Sequence, residues 1–141
     1  MSTFQNFRHA CRVAAACLAV SLLAAGCSSK EETLQTISGR VTYQGNPVPI
    51  GVIQFSPDAA AGNQGMVGFA EIKEGKFNTA ESGRGVESGP LTVSIDAYSM
   101  QNVQPDITPH GKALVIGYKQ KITVEAGTPT ELDLEIGPQR R

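Results

Sequence analysis

The sequence predicts an all-β fold, a β-sandwich of seven short strands. From about residue 37 onward, apolar residues recur with a period of two rather than 3.6, which is typical of half-buried strands. Glycine, proline and asparagine interrupt these runs at short intervals. Seven such runs in roughly a hundred residues fit two packed sheets around one core, with a closed barrel as the alternative architecture. No helix is expected in this part of the chain.

Residues 1–26 have the pattern of a signal peptide. Arg8 and Arg12 form a short basic head, and residues 13–25 contain no ionisable side chain apart from Cys17. An apolar run of this length is too short for a hydrocarbon core about 30 Å thick, which needs roughly 20 residues. Removal during export is therefore expected, rather than retention as a transmembrane helix.

Small residues precede a cysteine at the end of this segment. Ala25 and Gly26 fit a peptidase, and Cys27 follows them. The arrangement resembles the lipobox of bacterial lipoproteins, with Ala24 where leucine is commonest. This resemblance implies cleavage after Gly26 and acylation of the Cys27 thiol. An ordinary signal-peptidase cut, with an incidental cysteine, is the alternative, but it does not explain why a cysteine stands there.

Cysteine usage agrees with a lipid anchor. Cys11 and Cys17 would leave with the signal, so the mature chain would have one cysteine and no internal disulfide. Several acyl chains attach a protein persistently, whereas one chain binds only marginally. The predicted location is the cell envelope, with residues 27–33 as the lipidated cysteine and a polar tether. Ser28 and Ser29, in place of aspartate, resemble the Gram-negative sorting pattern for the outer membrane, facing the periplasm or the surface.

The charge of the mature chain argues against nucleic acid as a partner. Loss of Arg8 and Arg12 leaves ten basic and thirteen acidic residues, a net charge of −3. There is no basic stripe, and the few aromatic residues are scattered, so nucleic-acid binding is not expected.

The predicted domain covers residues 34–137, followed by a polar tail at 138–141. Its strands are expected at 37–43, 52–55, 66–73, 76–79, 90–97, 118–125 and 131–136. The clearest alternation is in the last strand, where apolar residues alternate with acids. The residues expected to face the core include Ile37, Val41, Leu91, Val93, Ile95, Ala97, Ile122, Val124, Leu132, Leu134 and Ile136.

The segments between the predicted strands contain residues that are typical of turns and loops. Residues 44–47 are expected to turn the chain, and Pro57 to mark an edge or the exit of the second strand because proline cannot donate to a ladder. Glu74 and Gly75 form a hairpin turn in which glycine takes a positive φ. Residues 80–89 are expected to be a flexible connection. The loop after Tyr98, about fourteen residues with two prolines, is of a length that is often functional or disordered.

Three stretches resemble the carboxypeptidase regulatory-like domains. Residues 37–57 match the pattern S-G-x-V-T-x-x-G-x-P-V followed by an apolar strand ending F-S-P. Residues 68–77 resemble the hairpin of that family, with Lys73 and Glu74 in place of its acidic pair, and residues 89–95 resemble a later strand. The resemblance implies a transthyretin-like (prealbumin-like) fold, a seven-stranded Greek-key sandwich. Fold analogy alone does not give function.

Residues that could support catalysis are sparse. His110 lies in the long loop between proline and glycine, and no second histidine or cysteine of the mature chain could complete a zinc site, so a solvated imidazole is expected. The hydroxyisourate hydrolases, an enzyme branch of transthyretin-like sandwiches, end with a Tyr-Arg-Gly-Ser tail that residues 137–141 lack.

Two kinds of ligand site are also not expected. A phosphate-binding loop at 83–89 would need a helix directly after it, but Pro90 opens a strand. Four residues could supply oxygen ligands for calcium: Asp58, Asn63, Asp96 and Asp106. They are separated in the sequence and lack the spacing of a calcium-binding loop, so solvated side chains are expected.

The sequence therefore predicts a non-enzymatic envelope lipoprotein, with no cofactor and no metal. The membrane, through the lipid on Cys27, is its expected partner, and its sandwich serves a structural or protein-interaction role toward an envelope protein. A module that binds glycan or peptide, through residues 66–79 or 98–112, is the alternative, and a hydrolase is the weakest hypothesis. Glycan sites usually present aromatic platforms, and the chain has no tryptophan. The candidate interaction loop contains Tyr98, Asp106 and His110.

Overall fold

The computed structural model describes residues 33–137, so the predicted signal peptide, Cys27, most of the tether and the polar tail lie outside the described residues. Nine strands account for most of this part of the chain. They are β1 (Ile37–Tyr43), β2 (Asn46–Pro47), β3 (Ile50–Pro57), β4 (Gly68–Lys73), β5 (Lys76–Asn78), β6 (Gly83–Arg84), β7 (Gly89–Tyr98), β8 (Ala113–Val124) and β9 (Thr130–Ile136). A 3₁₀ turn occupies Ala59–Ala61, and a short helix, α1, occupies Thr79–Ser82.

The strands form one hydrogen-bonded sheet, which confirms the all-β prediction. Its order is β2-β1-β5-β4-β3-β7-β8, with β6 on the free side of β4 and β9 on the free side of β1. All pairs are antiparallel except β1 and β9, which run parallel from Ile37 opposite Thr130 to Tyr43 opposite Ile136. The two chain ends of the domain are thus joined along seven residue pairs.

The sheet curls at the β4–β5 hairpin. These strands pair only at Lys73 and Lys76, beside the turn, after which β5 pairs with β1 while β6 takes the edge of β4. Side chains from both sides of the bend meet in one core, where the Phe55 and Phe77 ring centroids are 6.1 Å apart. The fully buried large side chains are Phe55, Ile37, Ile53, Ile72, Leu91, Ile95, Ile136, Val41, Val48, Val86, Val93 and Val124.

The predicted alternation is confirmed where it was clearest. All four inward residues of β7 are buried, and so are Leu134 and Ile136 of β9, with Leu132 half-buried at the core margin. Both predicted turns also form. Glu74 and Gly75 have φ of 50° and 75°, the two left-handed residues of a tight hairpin turn, and Gln44 and Gly45 repeat this geometry after β1.

Three predictions about elements were wrong. The expectation of no helix fails because the Asn78 side chain accepts from the Ala80 amide (3.0 Å) and donates to Glu81 (2.9 Å), which starts α1. The connection at 80–89 is not a bare flexible loop, since it contains part of α1, all of β6 and a bridge between Val86 and Gln35. β8 begins at Ala113 rather than Tyr118.

Strand bounds differ by smaller amounts elsewhere. β3 begins at Ile50 and β4 at Gly68, so β3 is longer and β4 shorter than the alternation alone indicated. Pro57 is the last residue of β3, as its missing donor predicts, although β3 itself lies between β4 and β7 rather than at an edge.

The sheet has two distinct ends. At the loop end, Ile50 pairs with Lys73 and Tyr98, and residues 99–112 connect β7 to β8. At the other end, called here the proximal end because the described chain begins there, Phe55 pairs with Gly68 and β1 starts. Five residue steps of extended β3 and β4 separate the ends by about 17 Å. None of the helices in residues 33–137 has the length and apolar character needed to cross a membrane.

Candidate functional site

The 99–112 loop is an ordered extension of the β7–β8 hairpin. The Ser99 amide donates to the Lys112 carbonyl (2.9 Å), the Met100 amide to the His110 carbonyl (3.1 Å), and the Lys112 amide to Gln101 (3.0 Å). Nearer the tip, the Gln104 carbonyl accepts from the amides of Ile107 and Thr108, at 3.0 and 2.7 Å. Because backbone groups bond across the loop along its length, it has a defined shape.

Unusual backbone conformations help to set that shape. Met100 and Asn102 have φ of 55° and 56°, in the left-handed region that few non-glycine residues adopt. Gly111 has φ 72°, and a Cβ there would lie 2.4 Å from the Gln101 carbonyl oxygen. Glycine is therefore required where the two sides of the loop come together.

The loop exposes apolar side chains in spite of this order. Met100 is 48% exposed, Val103 42% and Ile107 75%. Ordered loops with exposed apolar residues are commonly binding surfaces, because water-facing apolar area gains free energy when a partner covers it.

The three site residues predicted from the sequence have different positions. Tyr98 is the last residue of β7, and its ring centroid is 5.5 Å from that of His110, at a tilt of 48°. The structure thus brings these two residues together across the base of the loop. Asp106 lies exposed at the tip, with no ion pair among the described residues.

A second apolar surface adjoins the base of the loop. Register places Ile50 beside Tyr98 and Val52 beside Asp96 on the outer face of the sheet, and Ile116 follows Val115, the partner of Ala97. Val52 and Ile116 are about half exposed. This surface was not predicted because β8 was expected to start after Ile116; the apolar run at 114–116 was the available signal.

The other predicted binding region, residues 66–79, borders a polar groove. This groove has a volume of about 540 Å³ and lies where β5 leaves β4. Arg40 and Lys76 are direct cross-strand partners in it, and no carboxylate of residues 33–137 lies within salt-bridge distance of either cation. Lys73 differs, since it pairs with Glu71 at 2.6 Å. The groove thus contains two adjacent cations without an ion pair among the described residues, and it is also lined by the carboxylates of Glu71, Glu81 and Glu131.

The described residues do not assemble a metal-binding cluster. No group of three or more histidine, cysteine, aspartate or glutamate residues there could hold a metal ion. Three of the four oxygen donors considered for calcium have other roles. Asp58 pairs with Lys121 (2.8 Å), Asn63 donates to the Pro90 carbonyl (3.0 Å), and Asp96 accepts from the Gly117 amide (2.7 Å).

The pKa values of three surface carboxyl groups are lowered by neighbouring groups. The Lys121 ammonium lowers the pKa of Asp58 chiefly by hydrogen bonding, and Lys73 lowers the pKa of Glu71 in the same way. The Thr42 hydroxyl, followed by the Gly45 amide, lowers the pKa of Glu135. The last contact ties β9 to the turn after β1, so the carboxylate supports the parallel pair.

We expect these groups to make the domain less stable in acid. Each pKa is lower in the folded than in the unfolded chain, so the stabilisation is present above the ordinary values of 3.8 and 4.5 and is lost as the pH falls through the folded values. The urea midpoint should stay level from neutral pH to about pH 5 and then decrease. Glu135→Gln should make that decrease shallower; an unchanged acid profile in this variant would contradict the assignment.

Comparison with known proteins found no family model, no curated protein and no solved structure that matches the chain. The functional assignment therefore depends on the residues and geometry described above.

Proposed function

We propose that the protein is a non-enzymatic lipoprotein of the cell envelope, anchored by acylation of Cys27 after removal of residues 1–26. Its β-domain binds an envelope protein through the apolar surface of the 99–112 loop. The single observation that carries the binding role is the combination of backbone order and exposed Met100, Val103 and Ile107 in that loop.

The domain is proposed to be a seven-stranded Greek-key sandwich of the carboxypeptidase regulatory-like kind. β2 and β6 have only two residues each, which leaves seven longer strands. β3, β4 and β5 are successive neighbours and β1 pairs with β5, an order that supports a Greek key. The splaying of β4 from β5, with Phe55 and Phe77 packed across the core, supports two facing sheets.

The arrangement of the domain suits an anchored binding module. The described chain begins at Thr33, and Gln35 pairs with Val86 at the proximal end of the sheet. The 99–112 loop lies at the opposite end. An anchor at Cys27 therefore attaches to the end of the domain that is remote from the loop, and the loop is directed away from the site of attachment.

A crosslinking experiment tests the binding role. A photoreactive amino acid at position 107, in the lipidated protein in its own cells, should capture one defined envelope protein. The combination Met100→Asn, Val103→Thr and Ile107→Thr removes apolar area worth about 2–4 kcal/mol, so co-purification of that partner should fall more than about tenfold. Asparagine is chosen at position 100 because it tolerates the left-handed conformation.

Controls separate the binding surface from the fold. Lys119→Ser changes an exposed residue of β8 and should leave partner recovery unchanged. All variants should keep the urea midpoint of the unsubstituted protein. Capture from a photoreactive residue at position 76, with none at 107, would contradict the loop assignment and favour the second candidate, a peptide-binding module that uses the Arg40–Lys76 groove.

A further inference from the structure

We infer that the proximal end of the domain carries a second membrane contact, an apolar surface that rests on the bilayer in which Cys27 is anchored. The inference depends on the proposed acylation of Cys27. The surface consists of Leu34, Met66, Val67 and Phe69 around Arg84, and is called the proximal patch.

These residues are neighbours in the structure. Phe69 pairs with Arg84 across β4 and β6, and the Arg84 guanidinium donates to the Met66 sulfur at 2.9 Å. A Cβ on Gly85 would lie 3.2 Å from that of Leu34, which places Leu34 directly beside β6. Val67 connects Met66 to the start of β4. The patch is therefore continuous from the first described residues to the outer face of β4.

Each apolar member is open to solvent. Leu34 and Val67 are 39% exposed, Phe69 45% and Met66 51%. A phenylalanine, a methionine and two aliphatic side chains grouped around one arginine form the kind of surface that rests at the headgroup boundary, with the apolar groups buried and the cation near the lipid phosphates.

The short tether limits how far the proximal patch can lie from the acylated Cys27. Thr33 is six residue steps along the chain from Cys27, and six steps span at most about 20 Å even when fully extended. Leu34 follows at once. With Cys27 acylated, the patch is held within this distance of the bilayer at a high effective concentration, so a contact too weak to bind free protein becomes populated.

Charges at the proximal end indicate which lipid surface fits. Acidic residues there outnumber the basic Arg84 and Lys121; they are Asp58, Glu81, Glu87 and Glu125. Anionic headgroups would be repelled by this excess, whereas zwitterionic headgroups would not. The contact is therefore expected to depend on apolar insertion, to change little with salt and to weaken on phosphatidylglycerol-rich vesicles.

Depth-dependent quenching tests this contact in the full-length protein. After verification of its acylation, the protein with Met66→Cys would carry an environment-sensitive fluorophore in vesicles of phosphatidylcholine brominated near the carbonyl end of the chains. We expect about a twofold loss of fluorescence at position 66, since interfacial apolar groups lie roughly 5–10 Å below the headgroup boundary. Labels at Ile107→Cys in the loop and Asp133→Cys on the outer face of β9 should not be quenched.

The outcomes separate this inference from the anchor itself. Val67→Ser with Phe69→Ser should restore fluorescence at position 66 while the protein still sediments with the vesicles. Equal fluorescence at positions 66 and 107 in vesicle-bound, acylated protein would overturn the proximal contact and leave the anchor intact. Shielding at position 66 in native envelopes but not in pure lipid would also overturn it, in favour of a protein neighbour. Loss of acylation and of sedimentation would instead overturn the proposed anchor, and this inference with it.

Discussion

Replacement of Cys27 with alanine is expected to abolish palmitate labelling and to release the protein from the membrane fraction. The thiol sulfur of Cys27 is the atom that would carry the acyl chain. Loss of several acyl chains removes about 0.8 kcal/mol for each buried methylene, far more than the proximal patch could compensate. The measurement is radiolabelled palmitate incorporation together with fractionation of the envelope.

A matched control is available in the same segment. Cys17→Ala also removes a cysteine, but this residue lies inside the apolar run that would be cleaved, so labelling and membrane retention should be unchanged. Persistent labelling of the Cys27→Ala protein, or equal loss in both variants, would contradict acylation at Cys27. Strong retention without labelling would indicate that another segment holds the protein at the membrane.

Phe55→Ala is expected to be the most destabilising single truncation in the domain. Phe55 is fully buried on β3 and packs against Phe77 across the core. Removal of a buried phenylalanine ring costs about 3–5 kcal/mol, a large part of the roughly 5–15 kcal/mol that stabilises a domain of this size. The free energy of unfolding, from urea titration followed by circular dichroism, would measure the loss.

Phe69→Ala is the control for this prediction. Phe69 lies on the adjacent strand β4, opposite Gln54, but it is on the outer face and 45% exposed. The same truncation should therefore cost much less than at Phe55. An equal loss of unfolding free energy at the two positions would contradict the assignment of Phe55 to the core face of the sheet and of Phe69 to its outer face.

Local patterns predicted the strands whose faces differ most. β9 alternates leucine and isoleucine with acids, and β7 alternates four apolar residues with polar ones, so the buried side followed directly from the sequence. The Glu74–Gly75 turn was equally clear, because a two-residue hairpin needs residues that tolerate a positive φ.

Other elements depend on contacts that a local pattern does not contain. The parallel pairing of β1 with β9 joins residues more than ninety positions apart. The start of β8 was missed because Val115 faces the core while Leu114 and Ile116 are also apolar, and Gly117, with φ 68°, interrupts the alternation. α1 is a single turn, too short for a 3.6-residue period, and depends on the Asn78 cap.

The position of the 99–112 loop in the chain was predicted from the sequence, but its ordered backbone conformation was not. Two prolines and the absence of periodicity marked residues 99–112 as a long loop. Its order depends on left-handed Met100 and Asn102 and on bonds between residues on opposite sides of the loop, such as Met100 to His110. The Tyr98–His110 contact likewise joins residues twelve positions apart, and no feature of the sequence alone indicates it.

The most direct test of the lipid anchor is mass spectrometry of the N-terminal peptide of the protein taken from its own membranes. Trypsin would release residues 27–30, and acylation at Cys27 predicts that this peptide begins at Cys27 and carries acyl chains on the cysteine. A free thiol on Cys27, or a mature chain that begins at another residue, would contradict it.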